Sequence, residues 1–133
     1  MDVVAAILVY KNKIIAFKRP FSKKNKIISA KYEFPGGKIK KYETAIAALK
    51  RELKEELAIN VESLKEYFET IHNYPDFSVN IKFYISKINH LNFELNAHTD
   101  FKIVDIKKLK TLNWLEADYA VINYIEENGL RKY

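Results

Sequence analysis

The run FPGGKIKKYETAIAALKRELKEELAI, residues 34–59, decides how this chain is read. It opens on Gly36-Gly37, two of only three glycines in 133 residues, which is about a third of average usage. A chain so sparing with glycine sets two side by side only where the backbone must do something a Cβ forbids. From Thr44 the pattern turns helical, with Thr44 as the N-cap and Ile46, Leu49, Leu53 and Leu57 on one face, the expected core face. Glu52, Glu55 and Glu56, at i, i+3 and i+4, crowd a separate patch. Like charges at these spacings each destabilise a helix by a few tenths of a kcal/mol, so the cluster points to a bound cation, with a solvated acidic face paired to lysines as the alternative. Ala45 and Ala48 are expected to leave room for a ligand beside these acids. Oxygen donors without a neighbouring histidine or cysteine suit Mg²⁺, with Mn²⁺ as its substitute.

Outward from this run, apolar β-rich segments alternate with turns. Asp2 to Tyr10 and Ile14 to Lys18 form a hairpin across Lys11-Asn12-Lys13, Pro20 to Ala30 is a lysine-rich loop, and Lys31 to Phe34 is a short strand entering the glycine pair. Val61 to His72 is a second long strand. Val79, Ile81, Phe83 and Ile85 alternate with polar residues, so one face of their strand is buried, and the turn Asn73 to Phe77 joins the two. Lys102 to Val104 adds a short strand, Ile106 to Lys110 a helical turn, and Glu116 to Asn128 a helix capped by Gly129. The expected fold is α/β (α+β), a mixed sheet sandwiched between helices in one domain, residues 1–133.

Composition narrows the chemistry. There is no cysteine, hence no disulfide, thiolate metal site or cysteine nucleophile. The apolar start is too short to span a bilayer and lacks a signal-peptide pattern, so a cytoplasmic protein without membrane association is expected. The net charge of +6 suits a polyanionic partner. Of 23 basic residues only Arg19, Arg51 and Arg131 are arginines, and arginine against a lysine background marks a need for its planar fork.

Gly37, five residues, Glu43, seven residues, then Arg51-Glu52-Leu53-Lys54-Glu55-Glu56-Leu57-Ala58-Ile59 resembles the Nudix box. At ordinary residue frequencies a chance match of this kind is roughly one in 10⁵. "KYEFPGGKI", "YPDF" and "LNWLEADYAVI" extend the resemblance over nearly the whole chain, to the MutT-type nucleoside triphosphate pyrophosphohydrolases. The resemblance implies a Nudix α/β/α sandwich and Mg²⁺-dependent hydrolysis of a triphosphate such as CTP, dCTP or 8-oxo-dGTP to the monophosphate and pyrophosphate. It implies metal ligation by Glu55, Glu56 and the Gly36 carbonyl, with Glu52 as a further ligand or the base that takes the proton from water. Gly37 gives the close backbone approach to phosphate, and Arg51 bridges to Glu43. Arg19 and Lys38 are candidates for the phosphate chain, Lys38 also as a catalytic cation. Asp118 meets the nucleobase edge, between walls of Phe34, Tyr74 and Phe77.

Three positions depart from the family pattern. Ala58 stands where the family has glycine, so the helix is expected to end differently, and Tyr42 replaces a frequent glycine. Thr99 falls where relatives carry a further glutamate, which makes Asp100 the auxiliary acid candidate. His72, His90 and His98 have no metal-site spacing and read as ordinary strand and loop residues. The alternatives are a Nudix hydrolase of ADP-ribose or a dinucleoside polyphosphate, and a non-catalytic nucleotide- or RNA-binding Nudix fold. The favoured reading needs a small nucleotide substrate, no stable nucleic-acid partner, and a monomer or homodimer.

Overall fold

The computed structural model describes residues 1–130; Arg131 lies outside the described residues. β1 (Asp2–Tyr10) is the central strand, buried without interruption from Val4 to Val9 because both of its faces are covered. It turns into β2 (Lys13–Lys18) through Lys11 and Asn12, both at positive φ, 49° and 64°, the pairing that matches strand twist in a two-residue hairpin. β1 and β2 pair only at this end, Val9 with Ile14 and Tyr10 with Lys13. Further along, residues 32–38 fill the split between them, β3 (Tyr32–Glu33) on β2 and β4 (Gly36–Lys38) on β1. The glycine pair is therefore strand.

On the other side of β1 lies β6 (Ser78–Lys87), parallel, with β5 (Lys65–Asn73) antiparallel beyond it. β5 begins at Lys65 rather than Val61. Val61 is buried in the core ahead of the strand. β7 (Asp100–Val104) pairs with the outer edge of β2, giving seven strands in one mixed sheet.

Alternation along β1 divides the core in two. Val4, Ala6 and Leu8 face α1 (Ala45–Leu57), meeting Ala48, Leu49, Leu53 and Leu57. Ala5, Ile7 and Val9 face the opposite layer, built from Trp114 and from Val121, Ile122 and Ile125 of α2 (Tyr119–Asn128). The mixed sheet between helices is the expected architecture. Two details differ. Ile46 is 41% exposed, and Ala48 is fully buried in its place, because the apolar face of α1 is centred nearer Leu49 and Leu53; Ala48 packs the core and makes no room for a ligand. The final helix starts at Tyr119, preceded by a 3-10 turn, Glu116–Asp118. Among the described residues no helix is long and apolar enough to cross a membrane.

Thr44 Oγ1 accepts from the Ala47 N–H at 3.1 Å, capping α1. At the other end Ala58 takes the left-handed conformation, φ 55°, ψ 39°, its N–H donating to Lys54 O at 3.0 Å. The helix thus keeps the ending that glycine serves, in spite of the alanine. Ala58→Gly is expected to stabilise the fold by about 1 kcal/mol, measured as a shift in urea midpoint at unchanged slope.

Candidate active site

Neither Gly36 nor Gly37 has a positive φ; what they provide is close approach. A Cβ on Gly36 would lie 2.0 Å from Val4 O and 2.7 Å from Ala5 Cα, so β4 seats against β1 only with hydrogen there. A Cβ on Gly37 would lie 2.6 Å from the Glu52 carboxylate carbon. The space in question is filled by the protein's own strand and acid. Gly36 N–H donates to Glu56 Oε1 at 3.1 Å, tying β4 to the acidic face of α1.

Arg51 organises the outer half of that face. Its Nε and Nη2 donate to the two Glu43 oxygens at 2.8 and 2.9 Å, Nη2 also to Lys38 O at 3.1 Å, and Nη1 to Glu52 Oε1 at 2.8 Å. Helix, β4 and the following loop are thereby held together, and Arg51 holds the Glu43 carboxyl down to about 2. Glu55 is the most exposed of the three acids, its side chain 57% accessible and 3.6 Å from Arg51 Nη1.

The inner half contains two residues to which the sequence assigns no role in the site. Glu33, on β3, is buried; its oxygens accept from Arg19 Nη1, both at 3.2 Å, and Oε2 lies 2.7 Å from His98 Nε2. His98 is no ordinary loop residue. Its side chain is fully buried, and Nε2 is also 4.0 Å from Glu56 Oε2. It reaches there because residues 94–96 bind the end of α1: Glu94 N–H donates to Leu57 O, and Asn96 N–H to Glu56 O, each at 3.0 Å. Burial, then the nearby Glu33 and Glu52 charges, push the Glu56 carboxyl up to about 8.

That shift fixes a pH dependence. The folded value near 8 exceeds the ordinary value of 4.5, so the folded chain binds more protons in between, and this contribution, complete below about pH 4.5, is lost as pH rises through about 8. Asp118, raised chiefly by burial, acts in the same sense. Glu43 acts oppositely and only at lower pH, its contribution disappearing as pH falls through about 2. Thermal melts in chelator should show Tm falling between about pH 5 and 8, and saturating Mg²⁺ should restore it most at the alkaline end.

Beside the acids a cavity of about 220 Å³ is lined by Arg19, Glu33, Phe34, Gly36, Gly37, Tyr74 and Asp118, among others. Asp118 is buried; it accepts from the Phe34 N–H, and its Oδ2 has no partner. The Phe34 ring stacks on Trp114 with centroids 4.8 Å apart. A larger cavity of about 500 Å³ adjoins it, lined by Arg19, Gly37, Lys38, Tyr74 and Phe77, the last two rings stacked at 5.0 Å. Asp100 stands apart. It is exposed at the start of β7, and its Oδ1 accepts from the Phe101 N–H at 2.8 Å. Of that segment it is His98 that enters the cluster.

In this sheet packed between helices, a glycine pair is thus set against a carboxylate-rich helix. The sequence profile of the NUDIX domain matches residues 1–124, and the chain belongs to the Nudix hydrolases. The 8-oxo-dGTP diphosphatase of Buchnera aphidicola subsp. Acyrthosiphon pisum is 33% identical over 102 residues, 74% of this chain and 80% of that protein. In fold, the E. coli ORF135 solution structure superposes with a TM-score of 0.82 at 22% identity, covering 98% of this chain and 92% of that one. A MutT Nudix hydrolase from Burkholderia pseudomallei does so at 0.78 and 18%, covering 92% and 95%.

Proposed function

We propose that this enzyme hydrolyses an oxidised purine nucleoside triphosphate, 8-oxo-dGTP, to the monophosphate and pyrophosphate with Mg²⁺. The observation that carries this is the junction at Gly36-Gly37, where the two glycines touch Glu56 and Glu52 and also line a cavity that holds a buried Asp118. The oxygen donors of Glu52, Glu55, Glu56 and the Gly36 carbonyl suit a hard divalent cation, and a largely enclosed Glu56 with no salt bridge to a lysine or arginine among the described residues suits positive charge. Such a cation supplies Lewis-acid stabilisation of phosphoryl oxygens and lowers the proton affinity of water.

The chain's own groups do the rest. Glu52, fixed between Arg51 and Gly37, takes the proton of the attacking water. Lys38 and Arg19 line the route for the phosphates, although the Arg19 fork is partly engaged with Glu33. Burial shifts the Asp118 carboxyl well upward and so favours its protonated form, which presents one donor beside one acceptor. Oxidised guanine offers the complement, O6 as acceptor next to N7–H, whereas guanine offers two acceptors there. Cytosine, whose amine calls for an ionised acid, fits less well. The Buchnera relative bears the name of the same activity.

The test is pyrophosphate release with Mg²⁺ over 8-oxo-dGTP, dGTP, CTP, dCTP and ADP-ribose. The expected result is kcat/KM for 8-oxo-dGTP at least about 10-fold above dGTP and CTP, the worth of one matched hydrogen bond to a buried partner. Preferential turnover of CTP or ADP-ribose would transfer the assignment to that substrate. RNA retention that weakens with salt, without turnover of any of these, would favour the binding fold.

A further inference from the structure

Three side chains in the inner half of the site converge from distant parts of the chain. One oxygen each from Glu33 and Glu56 and one nitrogen from His98 all lie within 4.8 Å of one another. The three side chains are 11%, 13% and 0% exposed. Each is held in place: Glu33 by Arg19, Glu56 by the Gly36 N–H, and His98 by the bond from the Thr99 N–H to Lys18 O at 2.9 Å together with the strap across the end of α1. We propose that His98, Glu33 and Glu56 form a second cation site, one with a nitrogen donor, which takes Mn²⁺ or Co²⁺ in preference to Mg²⁺. It rests on the reading of Glu56 as a metal-facing acid.

The geometry fits. A cation about 2.1 Å from each of its donors spaces them up to about 4.2 Å apart, so a small rotation of one carboxylate closes the triangle. The charge fits as well. Two largely enclosed carboxylates have one arginine between them, ion-paired to Glu33 at 3.2 Å, and among the described residues Glu56 has no salt bridge to a lysine or arginine, so the cluster can accept added positive charge. The donor type sets the selectivity: imidazole with carboxylate favours first-row transition ions, while Mg²⁺ prefers oxygen throughout. His98 Nδ1 has no hydrogen-bond partner, so moving the ring proton there breaks no bond at that atom and frees the Nε2 lone pair.

Mn²⁺ binding to the intact, nucleotide-free protein tests this by pulsed electron paramagnetic resonance. A ¹⁴N coupling is expected on bound Mn²⁺ in the unaltered chain and none in His98→Ala. By calorimetry, Co²⁺ affinity at this site should fall at least about 10-fold in His98→Ala and in Glu33→Gln, while Mg²⁺ affinity changes less than about 2-fold. The spectrum of the unaltered chain needs no variant to fold. Absence of ¹⁴N coupling at saturating Mn²⁺, or Co²⁺ affinity unchanged in both variants, overturns the inference. Neither readout involves turnover, so an active enzyme lacking the nitrogen signal defeats this site alone, and an inactive one showing it defeats only the proposed reaction.

Discussion

Glu56→Gln should lower pyrophosphate release by about 10²–10⁴-fold, the range for loss of a catalytic acid or of a group stabilising transition-state charge. The amide has nearly the shape of the carboxyl, and its oxygen still accepts from the Gly36 N–H. What vanishes is the capacity for negative charge 4.0 Å from His98, between Glu33 and Glu52. Removing a buried ionisable group that lacks a full counterion leaves a fold as stable or more so, so Tm in chelator should not fall. The pairing of lost turnover with retained Tm separates a functional from a structural role. A variant keeping a tenth or more of the parent rate would remove Glu56 from the metal site. Glu55→Gln, at a far more exposed position held by one long ion pair, should cost less.

The second large effect distinguishes two adjacent glycines. Gly36→Ala drives a methyl to 2.0 Å from Val4 O and 2.7 Å from Ala5 Cα. Both obstacles are backbone of the central strand and neither can turn aside, so the expected loss is about 3 kcal/mol or more, at the upper end for overpacking. Urea unfolding measures it. In Gly37→Ala the nearest atoms to the new methyl are those of the Glu52 carboxylate, at 2.6 Å, the far end of a flexible side chain whose tie is one Arg51 bond. That acid can swing away, so stability should drop by less than about 1 kcal/mol, but a base displaced by about 1 Å loses on the order of 10²-fold in rate. Equal destabilisation by the two variants would show that Glu52 is not movable. Full activity in Gly37→Ala would show that its position is unimportant.

These two glycines also mark where a one-dimensional reading stops. Apolar, β-rich runs identified β1 and β2, alternation identified β6, and helical spacing identified α1, because those patterns are local. The box spacing likewise placed Glu52, Glu55 and Glu56 on one patch of α1. What bars a side chain at Gly36 could not be read, since it is Val4, more than thirty positions back and its neighbour only through strand pairing. Glu33 and His98 are 65 positions apart and meet at 2.7 Å; no periodicity links them. An acid inside the apolar strand leading into the glycine pair was the available clue to Glu33. Asp100 looked the better candidate in its segment because acids resemble metal ligands, yet the strap over the end of α1 delivers His98 instead. Ile46 belongs to a subtler class: its spacing is right, but the helix is rotated so that Ala48 takes the buried position.

The parallel pairing of β1 with β6 joins residues such as Asp2 and Asn80, 78 positions apart. Closing so long a loop carries an entropic penalty before any contact compensates it, which makes such pairings slow. Until β6 has been made, β1, apolar on both faces, must therefore wait for its partner. β4 leans on that same strand, so the acids acquire their final setting only after it docks. Recovery of catalysis during refolding should trail the return of helical circular dichroism, making turnover a reporter of the last stage of folding.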